Sequence, residues 1–396
     1  MHNLFIGIDV SKDSFSAAGL GPKGDVRFSI TADMDEAGFA ELLKAILAHG
    51  GKLSSAIVAM ESTGCYHINL FSFLNFKGIN AVVINPLLIA NFAKLALRKT
   101  KTDKKDAITI AQFLLAHKTS LSQISISQDL QDLRDIARER ESLGSLITSI
   151  KNEIKGLLQN TFPELETICN VFTQTMLNFI AEFPSARLVK TAKPKAIAAA
   201  LERAGRGRGL SISHGDIIKA AKGSVASLSP AKELILPEKI STLLHLMGRR
   251  NKMTEALTSY CESLAIEDLK ILTSIDGIDT TTGATFLAET GKIENFRSHK
   301  ALIAFAGLDP SVYQSGKFEG KGRISKRGNR HLRRVIYLMT VNAIRLNDSF
   351  RAYFLKRKEG GLPYRKAVMA TAHKLIRIIF SMLSHKSKFQ PKENSL

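Results

Sequence analysis

The sequence predicts an α/β N-terminal domain, a helical coiled-coil middle segment and a mostly α C-terminal domain. Three observations carry that prediction. Short apolar runs alternate with helical periodicity over the first third, two long amphipathic patterns occupy the middle, and basic helical stretches fill the last third. The 396 residues exceed one ordinary domain, and a hydrophobic content of 44% can supply more than one core. The expected boundaries are 1–125, 126–270, 271–385 and a short basic tail, 386–396.

In the first third, "LFIGIDV" (4–10) reads as a buried strand, and "SFSAAGL" with "DVRFSIT" flanks the turn "GPKG" as a hairpin. A helix is expected from about Glu36 to His49, then the strand "SAIVAME" (55–61), an apolar helix after Gly64, and the strand "INAVVIN" (79–85), halted by Pro86. Two further helical stretches follow, the second being "DKKDAITIAQFLLAH" from Asp103. A hairpin followed by β-α units makes a mixed sheet flanked by helices.

In the middle, "DLQDLRDIARERESLGSLITSIKNEIKGLLQ" (129–159) repeats apolar residues every three or four positions, and a second such helix is expected from about Pro237 to Leu264. The two helices either pair with each other or mediate dimerisation, and both arrangements satisfy the pattern. The loop "AGRGRGLSISHG" (204–215) is open to phosphate contact or to a plain surface role. The last domain opens with a helix-hairpin-helix-like stretch, "LTSIDGIDTTTGATFLAETG" (272–291), whose turn either offers N–H groups to a phosphate or only packs.

The net charge of +20 points to a polyanionic partner, nucleic acid first, because clustered Lys and Arg displace counterions condensed on a phosphate backbone. Residues 271–396 hold 23 Lys and Arg against 9 Asp and Glu, so most of the excess lies there. Cys65, Cys169 and Cys261 are too scattered for a disulfide framework or a zinc site. The N-terminus lacks a basic stretch ahead of a long apolar run, and no segment is expected to approach the roughly 18 apolar residues of a membrane span. The expected location is the cytoplasm of a prokaryote, in association with the nucleoid.

The acids of the first third need a separate explanation. Asp9 stands near the end of the first strand and Glu61 at the end of another, where a buried carboxylate is costly without a cation or donors. Asp103 and Asp106 lie at i and i+3 in a first helical turn, hence on one face. Alone, that pair is explained as a favourable interaction with the helix dipole and with Lys99 or Lys105. Together the four carboxylates suit two Mg²⁺ or Mn²⁺ ions of a phosphoryl-transfer site, because hard divalent ions take oxygen ligands.

"GIDVSKDSF", "AMESTGCYH" and "KTDKKDA", in that order, resemble the D-E-D-D motifs of the transposase family of insertion sequences that includes Piv-type DNA invertases and bridge-RNA-guided recombinases. The resemblance implies an RNase H-like, RuvC-like N-terminal domain with Asp9, Glu61, Asp103 and Asp106 as metal-binding catalytic acids. It continues in "FAGLDPSVYQSGKFEGKGRISKRGNRHLRRVIY" (305–337), similar to the family's C-terminal signature, and implies Ser315 as a nucleophile that joins covalently to DNA. It also implies donor and target DNA, an element-encoded noncoding RNA and a homo-oligomer as partners. From the residues alone Ser315 is an ordinary turn serine with no base within three positions, and Tyr313 is an equal candidate acceptor. Lys321, Arg323, Lys326, Arg327, Arg330, Arg333 and Arg334 are read as nucleic-acid backbone contacts, since no base-reading recognition helix is evident.

The same acids also suit a RuvC-like junction nuclease that uses water, and the family includes site-specific DNA invertases. A sugar-kinase-like ATPase would need a second phosphate loop and a Gly-rich adenosine loop, and the sequence has neither. A purely structural nucleic-acid binder explains the charge but not Asp9 and Glu61.

Overall fold

β1 (Leu4–Val10) forms where apolar side chains and one glycine fill a buried run, and Asp9 is its single position that is not fully buried. The computed structural model describes residues 2–61, 66–84, 89, 92–93, 103–117, 128–205, 212–311, 314–315, 318–319 and 323–391. These fall into two units, residues 1–131 and 132–396.

In the first unit β2 (Ser14–Leu20) and β3 (Val26–Asp33) follow β1 antiparallel, while β4 (Ala56–Glu61) and β5 (Asn80–Ile84) add in parallel. The mixed sheet has the order β3-β2-β1-β4-β5. α1 (Glu36–Gly50) starts where the Asp35 carboxylate accepts from the Gly38 N–H at 2.8 Å. With α2 (His67–Phe76) it covers one face, where Leu42, Ile46, Leu70 and Leu74 pack on Leu4, Ile6 and Ile8. α3 (Asp103–Ala116) covers the other, where Ile110 and Leu114 pack on Phe5, Ile57 and Ala59. The first helical stretch expected after Pro86 lies largely outside the described residues.

At Gly7 the backbone of α3 lies directly on β1. A Cβ placed on Gly7 would lie 2.2 Å from the Ala107 carbonyl oxygen and 2.3 Å from the Ala111 nitrogen. Only glycine permits that approach, and both α3 residues at the crossing are alanines.

In the second unit two long helices dominate. α4 (Gln128–Thr161) and α10 (Pro230–Thr273) run antiparallel, joined by Lys239–Glu153 at 2.6 Å and Arg249–Glu139 at 3.1 Å, with Arg140 Nε donating to Thr254 Oγ1 at 2.8 Å. Of the two arrangements that the sequence leaves open, the helices adopt pairing within one chain. α10 starts seven residues before Pro237, on Pro230, and breaks at Ala265, whose φ of −150° and ψ of 43° are not helical.

Between them α5 (Leu165–Ile168), α6 (Gln174–Glu182), α7 (Ala186–Thr191), α8 (Pro194–Gly205) and α9 (His214–Lys222) enclose a core with Ile154, Leu158, Leu236 and Ile240. Residues 206–211 of the Gly- and Arg-containing loop lie outside the described residues.

The remaining helices are α11 (Thr280–Thr290), α12 (His299–Phe305), α13 (Arg330–Leu346), α14 (Asp348–Glu359) and α15 (Tyr364–Ser384). The turn before α11 packs rather than opens. Gly277, at φ 96°, lies so close to α13 that a Cβ would meet Asn342 O at 2.7 Å, and the first turn of α11 is capped by Asp279, which accepts from Thr282 N at 2.7 Å. Among the described residues one helix, the 21-residue α15, is long and apolar enough on average to match a membrane span by length and composition alone. Half of its most apolar window is buried, with Ala372, Leu375, Ile376 and Ile379 inside the fold, so it is the core helix of this region.

A charged network ties α4 to α11 and α13. Glu289 is fully buried, and both of its oxygens accept from Arg138, at 2.8 and 2.9 Å, while Asn329 Nδ2 donates to Oε2 at 2.6 Å. Arg134 approaches the same carboxylate at 3.9 Å. Burial alone would push the Glu289 carboxyl up, but the hydrogen bonds from Arg138 and Asn329, with the charges of Arg138 and Arg134, hold it below the ordinary carboxylate range.

Two outcomes follow. Gly7→Val should destabilise the protein by about 3 kcal/mol or more, because the clash is with helix backbone that cannot yield without moving α3; chemical denaturation of the two proteins measures it. Glu289→Gln should cost about 1–3 kcal/mol at neutral pH, because the buried carboxylate that accepts from Arg138 and Asn329 is replaced by an amide with one acceptor oxygen. The lowered folded-state value means this contribution is complete above the ordinary Glu range and is lost as pH falls through the lowered value. The stability gap between wild type and Glu289→Gln should therefore narrow only in acid.

Candidate functional site

The N-terminal carboxylates occupy one end of one sheet face. β1 and β4 are parallel with Ile8 opposite Met60, so Asp9 and Glu61 are the next residues along two adjacent strands. Their alternation assigns both to the face of Phe5, Ile57 and Ala59, which is the α3 face. α3 runs opposite to β1. Its last turns reach Leu20 and Gly24 at the far end of the sheet, while Ala107 crosses Gly7. Asp106 precedes that crossing by one residue and Asp103 by one turn, which carries both toward Asp9 and Glu61.

Asp9, Glu61 and Asp106 are half-buried and Asp103 is exposed. The set is open. Among the described residues no three His, Cys, Asp or Glu side chains stand close enough to share an ion. The donors are nevertheless all oxygen, on one face and at one edge, which is the chemistry that Mg²⁺ or Mn²⁺ requires. Asp103 and Asp106 also sit in the first turn of α3, where the helix dipole favours negative charge.

In the second unit Ser315 lies in a small nested hairpin. β6 (Pro310–Ser311) pairs with β9 (Arg323–Ile324), and within it β7 (Gln314–Ser315) pairs with β8 (Phe318–Glu319), with Ser315 opposite Phe318. Ser315 is thus the last paired residue before the tip. Tyr313 and Lys321 lie outside the described residues, and of Arg323 the strand position is described.

The root of this hairpin is built from backbone contacts. Ser325 N donates to Asp309 O at 2.8 Å, Lys326 N to Gly307 O at 3.0 Å and Asn329 N to Phe305 O at 2.8 Å. Gly307, at φ 65°, and Gly328 face each other so closely that a Cβ on Gly328 would lie 2.5 Å from the Gly307 nitrogen. Asn329 then caps α13, accepting from His331 N and Leu332 N, while its amide reaches Glu289.

The basic residues divide into two groups. Arg333 Nη1 donates to Ala306 O at 3.0 Å, so this side chain braces the hairpin root instead of facing outward. Arg334 pairs with Glu141 on α4 at 2.6 Å, and His331 Nδ1 contacts the other oxygen of Glu141 at 2.7 Å. Burial would raise the Glu141 carboxyl, and the His331 and Arg334 hydrogen bonds outweigh it and lower it. Lys326, Arg327 and Arg330 are exposed. Arg134, Arg138, Glu141 and Glu289 also support this region, and nothing in the sequence singled them out. The only local signal was a capping asparagine before a basic helix. Burial pushes the Cys169 and Cys261 thiols up to about 11, which keeps both protonated at neutral pH.

Two family models match the chain. One, described as a DEDD-type transposase of the IS110 group, takes in residues 6–163, and one described as the transposase IS116/IS110/IS902 family takes in residues 269–355. The chain is 22% identical to the insertion element IS110 43.6 kDa protein of Streptomyces coelicolor, over 96% of this chain and 94% of that protein. It is 23% identical to the transposase for insertion sequence element IS1111A of Coxiella burnetii, over 97% and 91%. It is 24% identical to the pilin gene-inverting protein of Moraxella lacunata, over 98% of each. With both ends matched by models of one family and relatives spanning nearly its whole length, the chain belongs to the DEDD transposase family of insertion sequences.

Proposed function

We propose that this chain is a metal-dependent DNA recombinase of an insertion sequence, cleaving and rejoining strands by phosphoryl transfer. The observation that carries the reading is the sheet edge at which Asp9, next to last in β1, and Glu61, last in β4, stand on adjacent parallel strands while Asp103 and Asp106 open the helix that crosses Gly7. On this reading the N-terminal unit is an RNase H-like, RuvC-like catalytic domain, and the paired long helices form a coiled-coil segment.

Asp9, Glu61, Asp103 and Asp106 would hold two Mg²⁺ or Mn²⁺ ions, which when bound supply Lewis-acid stabilisation of the charge that develops on a reacting phosphate. Ser315 is the nucleophile. Its oxygen forms a bond to phosphorus as the bond to the leaving sugar oxygen breaks; the serine proton passes to base or water, and the sugar oxygen takes one up. The resulting phosphoserine ester conserves the phosphodiester, so a second sugar hydroxyl can displace Ser315 and rejoin the strand without ATP.

Lys326, Arg327 and Arg330, with Lys321 and Arg323, contact backbone phosphates; Arg334 contributes charge from its pair with Glu141, and Arg333 acts through the hairpin root. Donor and target DNA are the substrates, an element-encoded RNA selects the sequence, and the protein acts as a homo-oligomer. A second reading, site-specific inversion by the same chemistry, is favoured by the full-length similarity to the Moraxella pilin gene-inverting protein.

Denaturing gels of the protein with labelled element-end DNA and Mg²⁺ test the chemistry. Wild type should form a protein–DNA adduct and Ser315→Ala none, and an adduct that persists in Ser315→Ala sinks the covalent role. Asp9→Ala should lower strand cleavage by about 10²–10³-fold or more, as should chelation with EDTA, and Mn²⁺ should restore the chelated wild type but not Asp9→Ala. Replacing Lys326, Arg327 and Arg330 together by Ala should weaken duplex binding regardless of sequence. The slope of log K against log salt should fall by about 0.9 per lost phosphate contact.

A further inference from the structure

A cleft of about 650 Å³ opens in the second unit. α12 supplies His299, Lys300 and Ile303, the hairpin root supplies Asp309 and Pro310, α14 supplies Tyr353 and Arg357, and α15 supplies Ala370, His373 and Arg377. The volume lies within the roughly 300–1,000 Å³ of small-ligand sites, so it has room for one nucleotide and none for a duplex.

Its charge is unbalanced. Among the described residues Lys300, Arg357 and Arg377 form no ion pair, and the one acid of the wall, Asp309, accepts from the Ser325 hydroxyl at 2.5 Å. Arg357 is oriented by Tyr353, whose hydroxyl accepts from Nη2 at 2.9 Å and whose ring centre lies 5.0 Å from the guanidinium carbon. His373 Nε2 donates to Leu308 O at 2.9 Å, which fixes one wall of the cleft to the chain entering β6. Ile303, Pro310, Ala370 and Tyr353 add apolar surface to the same lining. A lining that combines carbon surface with cations suits a ligand with a flat or sugar-like body and an anionic end.

We propose that this cleft binds one unpaired nucleotide of a nucleic-acid strand. The phosphate lies against Lys300, Arg357 and Arg377, and the sugar and base lie against Ile303, Pro310, Ala370 and Tyr353. The proposal rests on the nucleic-acid reading above and extends it. Because Asp309 and Pro310 lead directly into the Ser315 hairpin, a strand seated here is held next to the root of the segment that carries the proposed nucleophile. Both DNA and RNA offer the required phosphodiester.

The test is fluorescence anisotropy of the full chain with oligo-dT and oligo-rU of about ten nucleotides and with a blunt duplex of the same length. Arg377, exposed on α15, can be replaced without disturbing the core. Arg377→Ala should weaken single-strand binding about tenfold and reduce its salt slope by about 0.7. Ala370→Leu, which fills the cleft without changing charge, should weaken it comparably with the salt slope unaltered. Duplex binding should stay within about twofold in both.

Loss confined to oligo-dT assigns the cleft to DNA, loss confined to oligo-rU assigns it to RNA, and loss of both supports the shared phosphodiester. The proposal is overturned if neither variant changes single-strand binding beyond twofold, or if duplex binding falls as much. The adduct assay reads separately. A normal adduct with unchanged oligonucleotide binding overturns the cleft alone, and an absent adduct with tenfold weaker variant binding overturns the covalent reading alone.

Discussion

Backbone lies against backbone where α3 crosses β1 at Gly7, and the positions of the N-terminal carboxylates depend on that contact. A helix usually stands off a sheet by the thickness of two layers of side chains. Glycine facing two alanine positions removes those layers, so the first turn of α3 comes down to the level of the strand ends. A bulkier residue at position 7 would lift the helix and separate Asp103 and Asp106 from Asp9 and Glu61. The cost of gathering like charges is offset locally, because Asp103 and Asp106 occupy the positive end of the helix dipole, a contribution of about 0.3–1 kcal/mol each.

In the second unit the corresponding constraint is electrostatic. Taking the Glu289 carboxylate out of water costs several kcal/mol, and two hydrogen bonds from Arg138 with one from Asn329 satisfy it. Buried ion pairs of this kind add little net stability, but they have one good geometry. Here that geometry fixes three things together: the rotation of α4, the end of α11 and the cap of α13. Since Asn329 also donates its backbone N–H to Phe305 O, the hairpin root inherits the same precision. Arg333 and the facing glycines 307 and 328 complete it.

Local patterns made the N-terminal sheet legible. All five strands, the start of α3 at Asp103 and the long helix of residues 128–161 follow from periodicity and punctuation. The second long helix was read short at Pro237 because proline usually opens a helix. In the fold Leu236, Ile240 and Leu243 are buried on one side, and that packing carries the helix through the proline. The apolar character of α15 was masked by Arg365, Lys366, Lys374 and Arg377, which interrupt the run in sequence but leave its buried face continuous. The partners of Glu289 were illegible for a different reason. Arg138 is 151 residues away, and no local pattern encodes a pairing at that distance. For the same reason the contacts of Arg333 with Ala306 and of Arg334 with Glu141 have no local signal.

The basic charge of the chain does not by itself solve the problem of bringing DNA to a carboxylate cluster. Exposed charges act over about 8 Å at physiological ionic strength, and residues 1–125 carry only 13 Lys and Arg against 10 Asp and Glu. The excess of residues 271–396 attracts a polyanion to the surface that bears it. Within its own unit the sheet edge has local sources of positive charge, the dipole of α3 and the exposed Lys104 and Lys105. Four carboxylates still exceed what these groups balance, and on the proposed reading divalent cations complete the compensation. That places the repulsion between acid and phosphate under the control of metal binding: an edge that repels DNA when empty becomes, once loaded, the strongest local attractor of a phosphate oxygen in its unit.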